Sequence, residues 1–264
     1  MKRRMLITGG SAGIGEACAR VWAANGWDLL LVARRLDKMQ KLATELQAAH
    51  DCDVAIIVED LADPLAPSRL VETIETRGLA VDGLINNAGY GVPGSLLSGP
   101  WSTHADFLRV LLWAPTELIY RLLPAMKERG FGRIVNVASL AGLVPGTAGH
   151  TLYGATKSYL IRFSQSLAQE ESAHGIHVTA LCPGFTFSEF HDVNGMRSTV
   201  SKMPRFMWMD AVTVARQAYL ASERGDIVYV NGIWNRFVRT LTKLLPDRWA
   251  LALVGSNARR FRRL

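Results

Sequence analysis

Tyr153 and Lys157 stand four residues apart, a spacing that puts both side chains on one face of a helix. A phenol with an ordinary pKa of about 10 is a poor proton donor or acceptor near neutrality. An ammonium beside it is expected to stabilise the phenolate and bring the pair into the working range of acid–base chemistry. Tyr153-Gly154-Ala155-Thr156-Lys157 is the only Tyr-x-x-x-Lys pair in the chain, and Ser139 lies fourteen residues upstream. Together they offer a hydroxyl, a phenol and an amine, a set suited to moving a proton to or from a substrate oxygen.

A second set of residues points to a phosphate-bearing ligand. Thr8-Gly9-Gly10-Ser11-Ala12-Gly13-Ile14-Gly15 follows an apolar run and leads into a helical pattern. Glycines allow a tight turn and close backbone approach, and a helix N-terminus presents free N–H groups to a diphosphate. An ordinary strand-to-helix turn would look similar, but placement after the first strand of a βαβ unit favours a dinucleotide, with Gly9, Ser11, Ala12, Gly13, Ile14 and Gly15 around it. The second strand ends in Arg34-Arg35, where an NAD site usually carries a carboxylate and arginine suits a 2′-phosphate. The expected cofactor is therefore NADP(H), with Ser11 as an additional phosphate ligand; the alternative is two solvated arginines before a surface helix. Asp60-Leu61 follows the third strand, where the carboxylate could accept from adenine or cap a helix. Asn86-Asn87-Ala88-Gly89 follows the fourth, where small residues permit backbone approach and amides can tie loops together.

These residues need a scaffold that brings strand ends together. Apolar runs at Met5–Thr8, Asp28–Ala33, Val54–Glu59, Gly83–Asn86, Arg133–Ala138, His177–Cys182 and Ile227–Val230 read as strands covered on both faces. Amphipathic stretches at Ile14–Ala24, Asp37–Ala49, Pro67–Arg77, Ala105–Arg129 and Tyr153–Ser172 alternate with them. The pattern predicts an α/β fold: a doubly wound, Rossmann-type parallel sheet of about seven strands in a single domain. Ligands of such sheets bind beyond the carboxyl ends of the strands, where the residues above fall.

The chain resembles the short-chain dehydrogenases/reductases over nearly all of residues 4–232, in its TGGSAGIG loop, NNAG, Ser139…Tyr153-x-x-x-Lys157 and Pro183-Gly184-Phe185-Thr186. Its local wording is similar to that of a bacterial NADP-dependent branch. The resemblance implies that Tyr153 is the general acid/base and that Ser139 orients and polarises a substrate carbonyl. It implies that Lys157 binds the nicotinamide ribose and tunes Tyr153, and that Thr186 contacts the carboxamide beside Pro183 and Gly184. The implied activity is interconversion of a carbonyl and a secondary alcohol. One position departs from the family. Alignment on Leu123-Pro124-Ala125-Met126 puts Leu111 where an asparagine usually supports a water chain to the lysine. That departure keeps open an alternative, a catalytically weak NADP(H)-binding regulatory or scaffold protein of the same fold.

Residues 185–209 occupy the position of the family's substrate lid. Phe185, Phe190, Phe206 and Trp208 there suggest an apolar pocket wall, or core beneath a long loop. The expected substrate is an apolar small molecule touching Ser139, Phe185 and Phe190. After the 1–232 catalytic domain, residues 233–264 form a separate tail. Trp234, Phe237, Val238, Leu241, Leu244, Leu245 and Trp249 recur at helical spacing, and Pro246 breaks the run. This suits contact with an anionic membrane, or packing on the domain or on a second subunit.

The 264 residues are 49% hydrophobic and 20% charged, enough apolar material for a large core and incompatible with disorder. Cys18, Cys52 and Cys182 are scattered without CxxC spacing, which argues against a disulfide framework and against metal. The apolar run of the basic N-terminus ends at Gly9, too short for a signal peptide. The expected setting is cytoplasmic, with contact at the inner membrane face left open and nucleic-acid binding disfavoured. The resemblance implies a homodimer or homotetramer through Ala105–Arg129 and Tyr153–Ser172.

Overall fold

In the computed structural model, residues 2–92, 94–149, 151–187 and 204–260 are described. The strands are β1 (Arg4–Thr8), β2 (Asp28–Ala33), β3 (Val54–Val58), β4 (Gly83–Asn86), β5 (Gly132–Val137), β6 (Ile176–Cys182), β7 (Phe185–Phe187), β8 (Trp208–Asp210) and β9 (Val228–Val230). Seven form one sheet in the order β3-β2-β1-β4-β5-β6-β9. Every pairing in it is parallel. The strand order reverses between β1 and β4, so the loops after these two strands open a crevice at the switch point.

Alternate strand residues serve opposite cores, which explains the unbroken apolar runs. Met5, Ile7, Leu29 and Leu31 face α1 (Gly13–Ala24) and α2 (Leu36–Ala49), with Val214, Ala215 and Ala218 from a later helix in the same cluster. Leu6, Leu30, Leu84 and Ile134 face the other way, onto α3 (Ala66–Thr76) and the helices that follow it. Small residues on α1 (Ala17, Cys18, Ala19) let Trp22 enter the core, where it meets Tyr219 edge-on at 5.2 Å. Burial pushes the Cys18 thiol up to about 12, so it serves as an apolar filler.

The predicted helix Ala105–Arg129 is not continuous. It begins as α4 (Trp101–Leu108), passes through a π-helical turn at Arg109–Trp113 and resumes as α5 (Ala114–Glu128). Pro115 supplies the reason: it lacks an N–H, and its ring crowds the carbonyl one turn earlier, at Leu111. The remaining helices are α6 (Thr151–Glu170), α7 (Ala211–Arg224), α8 (Ile233–Leu244) and α9 (Asp247–Arg260). β7 and β8 pair in parallel as a separate ladder, Phe185 opposite Trp208, and so join the two ends of the 185–209 segment. Phe190 in that segment, together with His150 and His191, lies outside the described residues. Among the described residues no helix is long and apolar enough to cross a membrane, and no group of three metal-ligating side chains occurs.

Candidate active site

β1 delivers Thr8 to the crevice, and a buried hydroxyl there organises two loops. Thr8 Oγ1 donates to Ile85 O (3.2 Å) and accepts from the N–H groups of Asn87 (3.0 Å) and Ala88 (3.1 Å). The Asn87 carboxamide donates back to Thr8 O (3.0 Å) and Gly9 O (3.2 Å). The loops after β1 and β4 are thereby locked together. No side chain larger than hydrogen fits between them. A Cβ on Gly9, whose φ is +66°, would sit 2.8 Å from Asn87 Nδ2; one on Gly15 would sit 2.3 Å from Gly9 O. Gly13, at φ +59°, opens α1, and Ala12 at its N-cap makes no side-chain capping bond. The first N–H groups of α1 therefore face the crevice without a capping side chain, an arrangement that suits an anion.

The turn after β2 brings Arg35 onto this loop. Its guanidinium donates to Ser11 Oγ from Nε (3.3 Å) and Nη2 (3.1 Å), joining two residues expected at one phosphate. Arg34 lies across an exposed 3.7 Å ion pair from Asp60, whose other oxygen accepts from Ala62 N–H at 3.1 Å. Asp60 thus caps the turn after β3 and faces Arg34 at the same rim. Leu61 is buried below it, in a cluster with Phe107 and Leu111. These groups fit a diphosphate dinucleotide bearing a 2′-phosphate: a cradle closed to any Cβ, a helix N-terminus, and paired guanidinium and hydroxyl donors.

Across the crevice, Ser139 follows the end of β5, and α6 carries Tyr153 and Lys157 beside it. Ser139 Oγ accepts from Ala141 N–H (3.1 Å) and hydrogen-bonds the Tyr153 phenol. Lys157 donates to Val137 O at 2.7 Å, with Nζ 5.6 Å from the centre of the Tyr153 ring. Its ammonium is pulled down to about 8 by burial, with the Cys182 thiol opposing. Burial raises the Tyr153 pKa, opposite in direction to what the Tyr–Lys spacing suggests, and the Ser139 hydrogen bond opposes that rise.

Pro183 O accepts from Leu140 N–H (2.9 Å), tying the Ser139 turn to the loop after β6. Thr186 is buried on β7, its hydroxyl on Gly184 O at 3.3 Å. Phe185 and Phe187 meet Trp208 at ring separations of 5.5 and 4.7 Å, forming an aromatic wall beside Thr186. Gly89 faces Leu111, 3.6 Å from where its Cβ would be. Leu111 is fully buried on the π turn, in an apolar cluster packed on Ala88 and Tyr153. Beside it lies a cavity of about 10 Å³, room for a single water, lined by Thr8, Asn86, Leu111 and Lys157 among others.

Sequence reasoning did not single out Gly142 or Asn235. A Cβ on Gly142 would meet the Lys157 carbonyl carbon at 2.6 Å, so this glycine lets the Ser139 turn lie on α6. Asn235 of α8 fills the space beside Gly184, within 2.5 Å of where a Cβ would project. Gly142 follows Ser139 closely enough that its spacing was a usable signal. Nothing local marked Asn235.

Known proteins resemble this chain along most of its length. The family model described as short chain dehydrogenase matches residues 3–196. Nodulation protein G of a Rhizobium species is 36% identical over 242 residues, covering 87% of this chain and 96% of that protein. An uncharacterized oxidoreductase of Myxococcus xanthus is 31% identical over 98% of both chains. A short-chain dehydrogenase from Sphingobium yanoikuyae, solved in complex with NADPH, superposes with a TM-score of 0.80 at 29% identity, covering 99% of this chain and 96% of that one. The chain belongs to the short-chain dehydrogenase family.

Proposed function

We propose that the protein is an NADP(H)-dependent oxidoreductase that interconverts a carbonyl and a secondary alcohol on an apolar small molecule. The observation that carries this reading is the meeting of Ser139 with Tyr153, and of Lys157 with β5, across the crevice from the glycine cradle. NADPH in the Sphingobium neighbour supports the cofactor assignment, as does the Arg35–Ser11 contact.

When bound, the nicotinamide cofactor supplies or accepts hydride. The protein's part is positional and protonic. Gly9, Ser11, Ala12, Gly13, Ile14 and Gly15 would hold the diphosphate, Arg34 and Arg35 the 2′-phosphate, and Asp60 with Leu61 the adenine side. Asn87, Ala88 and Gly89 would line the ribose, and Pro183, Gly184 and Thr186 the carboxamide. In the reducing direction Ser139 donates to the substrate oxygen, and Tyr153 delivers its proton as negative charge develops there. Lys157 steadies the resulting phenolate and the ribose. Leu111 offers no donor or acceptor, and a single water in the cavity lined by Thr8, Asn86 and Lys157 would take its place in the relay. Phe185 and Trp208 form the apolar side of the substrate pocket, with Phe190 assigned to it as well. Exposed Trp113 and Tyr120 on the α4–α5 surface support assembly as a homodimer or homotetramer.

Tyr153→Phe is expected to lower NADPH-dependent ketone reduction by about 10²–10⁴-fold while leaving NADPH binding intact. Reduction at the parent rate would overturn the assignment. Leu111 motivates the second reading, a cofactor-binding protein that turns over poorly, and a screen of ketones, aldehydes and long-chain 3-oxo compounds separates the two.

A further inference from the structure

Helix α8 is docked with its polar side inward. At 3.6 residues per turn, Asn235 and Thr242 share the side that is buried. Asn235 donates to Asn231 O (2.7 Å) and sits on Gly184, while Thr242 donates to Val238 O (3.0 Å). The opposite side, within an arc of about 40°, carries Ile233, Phe237 and Leu244, which are 86%, 53% and 78% exposed. This apolar face continues sideways through Trp234, 5.5 Å from Phe237 and 5.3 Å from Phe206 at the end of the 185–209 segment. Trp249 and Leu251 of α9 are exposed as well. A helix that buries its amides and presents isoleucine, phenylalanine and leucine to water is built for an apolar partner.

Charge identifies the partner. Residues 233–264 hold eight Lys and Arg against one acid, Asp247, which accounts for the chain's entire net charge of +7. Arg236 and Lys243 border the apolar arc roughly a quarter turn away, and Arg248 lies over Trp249 at 5.8 Å. Two copies meeting through this face would oppose like-charged segments, because a two-fold interface sets the same patch against itself. An anionic bilayer satisfies both features, taking apolar side chains below its headgroups and basic ones among them. We propose that α8 and α9 form an interfacial docking surface for anionic lipid membranes. Contact of α8 with Gly184 and Phe206 would then set the substrate cleft beside the bilayer, a consequence that rests on the proposed function; the docking does not.

The test is flotation of the full chain with vesicles of phosphatidylcholine alone or mixed with phosphatidylglycerol. Binding is expected on the mixed vesicles only, with a blue shift of tryptophan emission and release by salt. Ile233→Ser combined with Phe237→Ser should reduce the bound fraction at least about tenfold, and Lys243→Gln or Arg248→Gln about fivefold each. Unchanged NADPH binding by these variants would show that they fold. The proposal is overturned if the full chain ignores phosphatidylglycerol vesicles, or if the serine variant floats like the parent. It is also overturned if the parent is a lipid-free dimer that the serine variant splits. Flotation without ketone reduction would count against the proposed activity alone.

Discussion

On one rim of the crevice the Thr8 and Asn87 side chains bond to neighbouring backbone groups around Gly9 and Gly15, with no room for an added methyl. On the other, Phe185, Phe187 and Trp208 meet by ring contact on a three-residue ladder. A backbone cradle cannot vary without breaking, so it suits a ligand that stays the same from one family member to the next. A wall of side chains changes with each substitution and suits a ligand that differs. Under the proposed function, cofactor binding falls to the first rim and substrate choice to the second.

The contrast is tested most severely at Gly15. A Cβ there would meet backbone, which cannot swing aside. Gly15→Ala is expected to abolish measurable NADPH binding in a fluorescence titration and to cost about 1–3 kcal/mol of stability. Phe187→Ala on the exposed rim should leave NADPH binding unchanged and alter only KM across a ketone series. Equal effects on cofactor affinity would dissolve the distinction.

Next in size is the phosphate corner. Arg34→Ala combined with Arg35→Ala should weaken NADPH by about 10–100-fold relative to NADH, the worth of charge-assisted hydrogen bonds. Equal losses for the two nucleotides would place the 2′-phosphate elsewhere.

Lys157 connects the two rims and gives a pH signature. Its folded-state pKa of about 8 lies below the ordinary 10.5, so between these values the unfolded chain binds more protons. Stability contributed by this site therefore rises with pH from about 8 toward 10. Melting temperatures across that range should show the rise in the parent, and Lys157→Met should lack it.

The smallest effect on turnover is expected at Leu111. A carboxamide placed in that apolar cluster costs about 1–3 kcal/mol by desolvation, yet kcat for Leu111→Asn should change less than about tenfold if a water in the cavity beside Lys157 serves the proposed relay. A larger gain would show that the leucine interrupts proton supply.

By itself the sequence determined whatever depends on near neighbours along the chain. Unbroken apolar runs marked the strands and period-3.6 patterns the helices, the i, i+4 spacing set Tyr153 over Lys157, and glycine marked the turn at β1. It also showed that the net charge resides in residues 233–264. Tertiary structure decided what depends on strand order and burial. Arg35 meets Ser11 because β1 and β2 are neighbours, and Asn87 clamps Gly9 because β4 lies on the other side of β1. Pro115 was visible, but the π turn it creates at Leu111 needed the packed helix to show it. The Tyr153 pKa rises because desolvation depends on everything around the phenol, and spacing says nothing of that. The amphipathic pattern of α8 was legible, yet the direction it faces was not. Only the fit of Asn235 against Gly184 turns its apolar side outward.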